Sequence, residues 1–125
     1  VVAALEDLRR RGVEPVLVSG SSREILRPIA RRLGVDHVLA TRVEVRAGIY
    51  TGRILPPQTI GAGKLRAAQA FLERTGANAG RCYAFGDHLS DLPLLEAVGH
   101  PRVVAGDPRL ERQAHRRGWP VVPTR

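Results

Sequence analysis

The chain holds 125 residues, the length of one domain, with 43% apolar and 26% charged side chains and a formal charge of +8. These values exclude a disordered acidic tail, a collagen-like repeat and a disulfide-knit secreted module, and the single cysteine, Cys82, excludes an internal disulfide and any multi-cysteine zinc site. No apolar run approaches the ~18 residues of a bilayer span and no secretory leader is visible, so a cytoplasmic protein without a transmembrane segment is expected.

Helical and extended patterns alternate along the chain. Val1, Ala4, Leu5 and Leu8 recur at helical spacing until Gly12, and Pro15–Val18 is a short apolar run that reads as a buried strand. Ser21 with Glu24 three residues later fits a capping box, opening a helix through Leu33 that stops at Gly34, with Pro28 in its first turns or bending it. His37–Ala40 reads as another buried strand. From Val43 the period changes to two, through Val45 and, across Ala47-Gly48, to Ile49 and Thr51: a hairpin closed by Pro56-Pro57. Leu65, Ala68, Phe71 and Leu72 give one apolar face to a helix over Lys64–Thr75, ended by Gly76. Strands over Cys82–Phe85, Val103-Val104 and Val121-Val122 then alternate with helices over Leu92–Val98 and Arg109–Arg117. Cys82 itself is expected to be a small buried hydrophobe. Apolar strands separated by helices predict an α/β fold, a mostly parallel sheet covered on both faces, plus the small β-hairpin.

The net charge invites a nucleic-acid reading, which the distribution of the cations opposes. Arg9, Arg10, Arg11, Arg31, Arg32, Arg116 and Arg117 fall near the ends of predicted helices, where they complement the helix dipole. Aromatic residues, at 4%, are too few for a stacking platform, so no nucleic-acid partner is expected. Of the 20 lysines and arginines only Lys64 is lysine, a hint that this position needs a compact ammonium rather than a planar fork.

In open parallel sheets chemistry collects beyond the C-terminal ends of the strands. Three polar groups fall there: Ser19-Gly20 after the first strand, Lys64 at a helix start, and Gly86-Asp87 after the Cys82 strand. Asp87 at a strand end suits a hard cation, or is a loop aspartate. Asp91, four residues on, either points to the same place or, like Ser90, caps the helix that follows. Lys64 follows Gly61-Ala62-Gly63, but Gln58 and Leu65 break the P-loop pattern, which leaves an anion-binding lysine or a solvated one. Ser19-Gly20 is a turn before a helix, or a hydroxyl and amides that hold an anion.

Taken jointly, these residues have a recognisable order. A strand ending Val16-Leu17-Val18-Ser19-Gly20-Ser21, a lysine at a helix start and a strand ending Gly86-Asp87-x-x-x-Asp91 resemble motifs two, three and four of the haloacid dehalogenase (HAD) superfamily. The tail from Asp91 to Pro101, then Asp107-Pro108-Arg109-Leu110 and Gly118-Trp119-Pro120-Val121, is similar to the phosphoserine-phosphatase-like branch, subfamily IB. The resemblance implies a Rossmann-like three-layer sandwich and a Mg²⁺-dependent phosphomonoester hydrolase. Such an enzyme acts on a small phosphorylated metabolite through an aspartyl-phosphate intermediate. By the same resemblance Ser19, with Gly20, hydrogen-bonds the transferring phosphoryl group, and Lys64 neutralises phosphate and the nucleophile's carboxylate. Asp87 ligates Mg²⁺, and Asp91 supports that metal or orients Lys64.

The family pattern is incomplete here. Motif one, an Asp-x-Asp that supplies the nucleophile, is absent: Asp7, the only aspartate before Ser19, lies in a helical pattern. The helical cap between motifs one and two is absent as well, and Ala105-Gly106 stand where many relatives have Asn-Pro. With no methionine and a start at Val1, residues 1–125 are read as the C-terminal part of one HAD-like core domain whose central motif-one strand is missing. Such a piece is expected to be inactive alone, and unstable or homodimeric because two strand edges are bared. The alternative is a non-catalytic, degenerate phosphatase-like module that binds an anionic partner through its arginines.

Overall fold

The computed structural model describes residues 2–55, 59 and 61–124. In chain order they form α1 (Val2–Arg10), β1 (Val16–Ser22), α2 (Arg23–Leu33), β2 (His37–Arg46), β3 (Ile49–Leu55), α3 (Ala62–Thr75), β4 (Tyr83–Gly86), α4 (Leu92–Ala97), β5 (His100–Val104), α5 (Pro108–Arg117) and β6 (Val121–Val122). The α/β alternation read from the sequence is therefore observed, with parallel pairing at its centre. Pro56 and Pro57, expected to close the hairpin, lie outside the described residues.

Local chemistry explains most boundaries. Helix α2 starts one residue later than the capping-box reading places it: Ser22, not Ser21, is the N-cap, its Oγ accepting from the Ile25 N–H at 3.4 Å. The chain stays extended through Ser22, and the ladder with β2 shifts register between Ser19 and Ser22. Helices α2, α3 and α5 each stop at a glycine in the left-handed region. The basic residues assigned to helix ends do sit in last turns: Arg9 and Arg10 in α1, Arg31 and Arg32 in α2, Arg116 and Arg117 in α5. Arg9 goes further, donating to the Gly34 carbonyl at 2.6 Å and tying the end of α1 to that of α2.

β2 is longer than expected. Its first half pairs parallel with β1, Val16 opposite His37 and Ser19 opposite Ala40. Its second half pairs antiparallel with β3, Arg42 opposite Leu55 and Arg46 opposite Ile49. The strand and the hairpin arm read separately from the sequence are thus one strand of 10 residues. Ala47 and Gly48 both take positive φ, the twist that a two-residue hairpin turn requires.

The sheet is divided. One three-stranded sheet has the order β1-β2-β3, the other β4-β5-β6, with β4 parallel to β5 and β5 parallel to β6. Among the described residues no ladder joins β1 to β4. The main core lies against the second sheet, where Leu95, Val103, Leu110 and Ala114 are fully enclosed with Trp119 against them. Leu8, Leu26, Ala30 and Val35 form the buried apolar set of the first half. Val16, Leu17 and Val18, expected to be buried, are only half-buried, because among the described residues β1 has a strand neighbour on one edge only. Cys82 is likewise half-buried rather than enclosed, its Sγ 3.3 Å from the Asn78 carbonyl.

Candidate functional site

The site grows from the end of β4. Ala84 and Gly86 point to the buried side of that strand, and Gly86 has no room for a side chain. A Cβ there would stand 2.8 Å from Asp91 Cβ and 3.2 Å from Leu95 Cδ1. Glycine is what lets the next turn, the 3-10 segment Leu89–Asp91, fold back onto the strand end. His88 fixes that turn, its Nδ1 accepting from the Ser90 N–H at 3.0 Å.

Asp91 is the hub, only 4% exposed. Its Oδ1 accepts from Lys64 Nζ at 2.6 Å, and its Oδ2 accepts from the backbone N–H groups of Asp87 at 3.2 Å and His88 at 3.4 Å. Of the two sequence readings for Asp91, the side-chain cap of α4 is not what forms: its carboxylate makes no capping bond to that helix. It faces back instead, joining the first turn of α3 to the loop after β4. An ion pair this enclosed is held by charge and by hydrogen bonds together, since both carboxylate oxygens are satisfied.

A second carboxylate clamps the same loop from the other side. Asp107 Oδ1 caps α5 by accepting from the Arg109 N–H at 3.0 Å, while Oδ2 accepts from the Leu89 N–H at 2.8 Å. The Arg109 side chain, and then these backbone donors, hold its carboxyl down from 3.8 to about 2. Sequence reasoning misses this role. Its signal is Asp107-Pro108 opening a helix, which announces a cap but not the contact with Leu89, 18 residues away.

The Lys64 and Asp91 side chains are therefore brought together, with Asp87 joined to them through its backbone N–H; among the described residues no hydrogen bond ties Ser19 or Gly20 to them. Ser19 sits near the end of β1, and its Oγ accepts from the Ser21 N–H at 3.1 Å in a local turn. Asp87 is exposed, and among the described residues no hydrogen bond or ion pair engages its carboxylate. That leaves the Asp87 carboxylate open in the loop whose amides Asp91 holds. No group of three His, Cys, Asp or Glu side chains among the described residues is placed to hold an ion. The open Asp87 carboxylate is a hard oxygen donor, the kind of ligand by which Mg²⁺ is commonly held together with water and substrate phosphate.

A family model described as haloacid dehalogenase-like hydrolase matches residues 1–96. The chain belongs to that family. It is 45% identical over 111 residues to a probable phosphatase of Mycobacterium tuberculosis, which accounts for 89% of this chain and 38% of that protein. With a phosphoserine phosphatase of the same organism it shares 36% identity over 110 residues, 88% of this chain and 36% of the other. It superposes on a Bordetella pertussis protein of unknown function with a TM-score of 0.90 at 35% identity, covering 97% of this chain and 56% of that one. The chain spans well under half the length of these curated relatives. Likeness to phosphoserine-phosphatase-like members of the haloacid dehalogenase-like hydrolases, expected from the motif order, is met. None of the described helices is long and apolar enough to cross a membrane.

Proposed function

We propose that this chain forms the anion- and cation-binding part of a phosphomonoester hydrolase site that acts on a small phosphorylated metabolite. The observation that carries the reading is the Lys64–Asp91 pair at 2.6 Å, whose carboxylate also holds the backbone N–H of Asp87. A phosphate dianion near carboxylates needs positive charge that is already in place. Asp91 orients the Lys64 ammonium toward the strand end, and its grip on the Asp87 and His88 amides fixes the loop carrying Asp87. Asp87 would hold Mg²⁺, which when bound offsets charge on the phosphoryl oxygens. Ser19 and the Gly20 amide would receive the phosphoryl group from the β1 side. Both oxygens of Asp91 are engaged by the chain itself, so its part is to position Lys64 rather than to ligate the metal directly.

The nucleophile is the missing party. No Asp-x-Asp occurs in these 125 residues, so a carboxylate outside them would attack phosphorus. The P–O ester bond then breaks, the alcohol leaves with a proton, and water hydrolyses the aspartyl-phosphate to return carboxylate and inorganic phosphate. The divided sheet agrees with this arrangement. Among the described residues β1 and β4 each pair along one edge only, which leaves room for a further parallel strand between them to carry that carboxylate. The test is phosphate release by the full-length protein from p-nitrophenyl phosphate and phosphoserine with Mg²⁺. Lys64→Ala and Asp87→Asn should each lower kcat/KM about 10²–10³-fold, and the 125-residue chain alone should show no turnover. Full activity in Asp87→Asn, or turnover by the isolated chain, overturns the reading.

A further inference from the structure

Four arginines that lie apart in the sequence gather on one surface. A groove of about 500 Å³ runs beside β2, lined by Arg23, Arg27 and Arg31 from α2, Arg74 and Phe71 from α3, and His37 of β2. None of these four arginines forms an ion pair among the described residues, although Asp36 also borders the groove. Arg23 carries a second anomaly: its Nε is buried without a hydrogen-bond partner. An unsatisfied buried donor on a cation is costly and points to a group that supplies the acceptor. Arg74 lies over the Phe71 ring at 5.8 Å, which holds its guanidinium at the rim.

The floor of the groove is residues 37–39 of β2, at the half of the strand whose only strand neighbour among the described residues is β1. That stretch offers backbone N–H and C=O groups to an incoming strand. Along α2, Arg23, Arg27 and Arg31 recur every four residues, about 6 Å apart. Alternate side chains of an extended peptide are spaced by about 6.8 Å. The two repeats are close enough for carboxylates on alternate positions to meet successive guanidinium groups.

We propose that this groove binds an acidic polypeptide segment in extended conformation, its backbone adding to β2 at 37–39 and its carboxylates reaching Arg23, Arg27, Arg31 and Arg74. A second copy of this chain is a poor occupant, since its formal charge is +8. A nucleic-acid strand is disfavoured because Phe71 is the one Phe, Tyr or Trp in the groove and phosphate oxygens cannot use the strand's carbonyls. The site is distinct from the Lys64–Asp91 loop, so the proposal stands whether or not the phosphatase reading does.

The test uses the full-length protein and three labelled probes: a capped heptapeptide of alternating Glu and Val, the same peptide N-methylated at alternate residues, and an oligo-dT of equal charge. The plain peptide should bind, bind at least tenfold more weakly to the Arg27→Ala/Arg31→Ala variant, and slow amide hydrogen exchange at 37–39. Both substituted arginines are exposed, so folding is not at stake. No binding of the plain peptide, unchanged exchange at 37–39, or equal binding of the N-methylated peptide or oligo-dT overturns the proposal.

Discussion

Replacing Lys64 by methionine keeps the aliphatic stem and removes the ammonium, a direct measure of what the charge does. The Asp91 side chain is 6% exposed and that of Lys64 20%, so the pair is screened far less than a surface one. At 2.6 Å and an effective dielectric of 20 the attraction is about 6 kcal/mol before desolvation. Removing one partner of an enclosed pair typically costs about 3–5 kcal/mol. Here Asp91 keeps two backbone donors, at 3.2 and 3.4 Å, which go on compensating part of its charge when the ammonium is gone. The lower end, about 3 kcal/mol, is therefore expected from urea unfolding followed by fluorescence. A cycle through Asp91→Asn and the double variant isolates the pair, with a coupling of about 2 kcal/mol, above the ~0.2–1 kcal/mol of exposed pairs. Lys64→Arg should not rescue it, because a planar fork cannot occupy the space of a compact ammonium. Coupling below about 0.5 kcal/mol would show that Asp91 is held by its backbone donors and that Lys64 is a bystander.

Two further outcomes test the loop. Gly86→Ala places a methyl against Asp91 and Leu95, so it should destabilise by about 1–3 kcal/mol and lower activity with it, as read by thermal melting and phosphate release. Asp107→Asn probes the second clamp through pH. The folded carboxyl sits at about 2 against an ordinary 3.8, so its stabilisation is complete above the higher value and lost as pH falls toward the lower. The melting-temperature gap between wild type and variant should be constant above about pH 4 and close by about pH 2; a gap that persists at the acid end removes charge from the explanation.

Helices and strands were legible because their signals are local. Gly34, Gly76 and Gly118 end helices wherever they stand, and Ala47-Gly48 needs only its own dihedrals to turn a hairpin. What failed depended on neighbours. An apolar run such as Val16-Leu17-Val18 reads as buried on the assumption that both edges of its strand are covered, and among the described residues β1 has a partner on one side only. Ser21 and Ser22 are chemically alike, so the choice of cap fell to where β1 stops pairing, a non-local matter.

The site divides along the same line. Lys64 and Asp91 are 27 positions apart, and no periodicity predicts their contact. Only the order of the motifs brought them together, through resemblance. Asp91 as a cap and Asp91 as an anchor for Lys64 use the same residue at the same helix start, and what separates them is the direction of one carboxylate. Gly86 decides that direction: with no side chain on the strand end, the turn closes far enough for Asp91 to reach back to the Asp87 amide. Once Asp91 is spent on Lys64 and on two amides, and Asp107 on Leu89 and Arg109, the carboxylate left open in the loop after β4 is that of Asp87. Under the proposed reading that division of labour leaves Asp87 open to a cation, while Asp91 keeps the Lys64 ammonium in place to offset the charge of a phosphate.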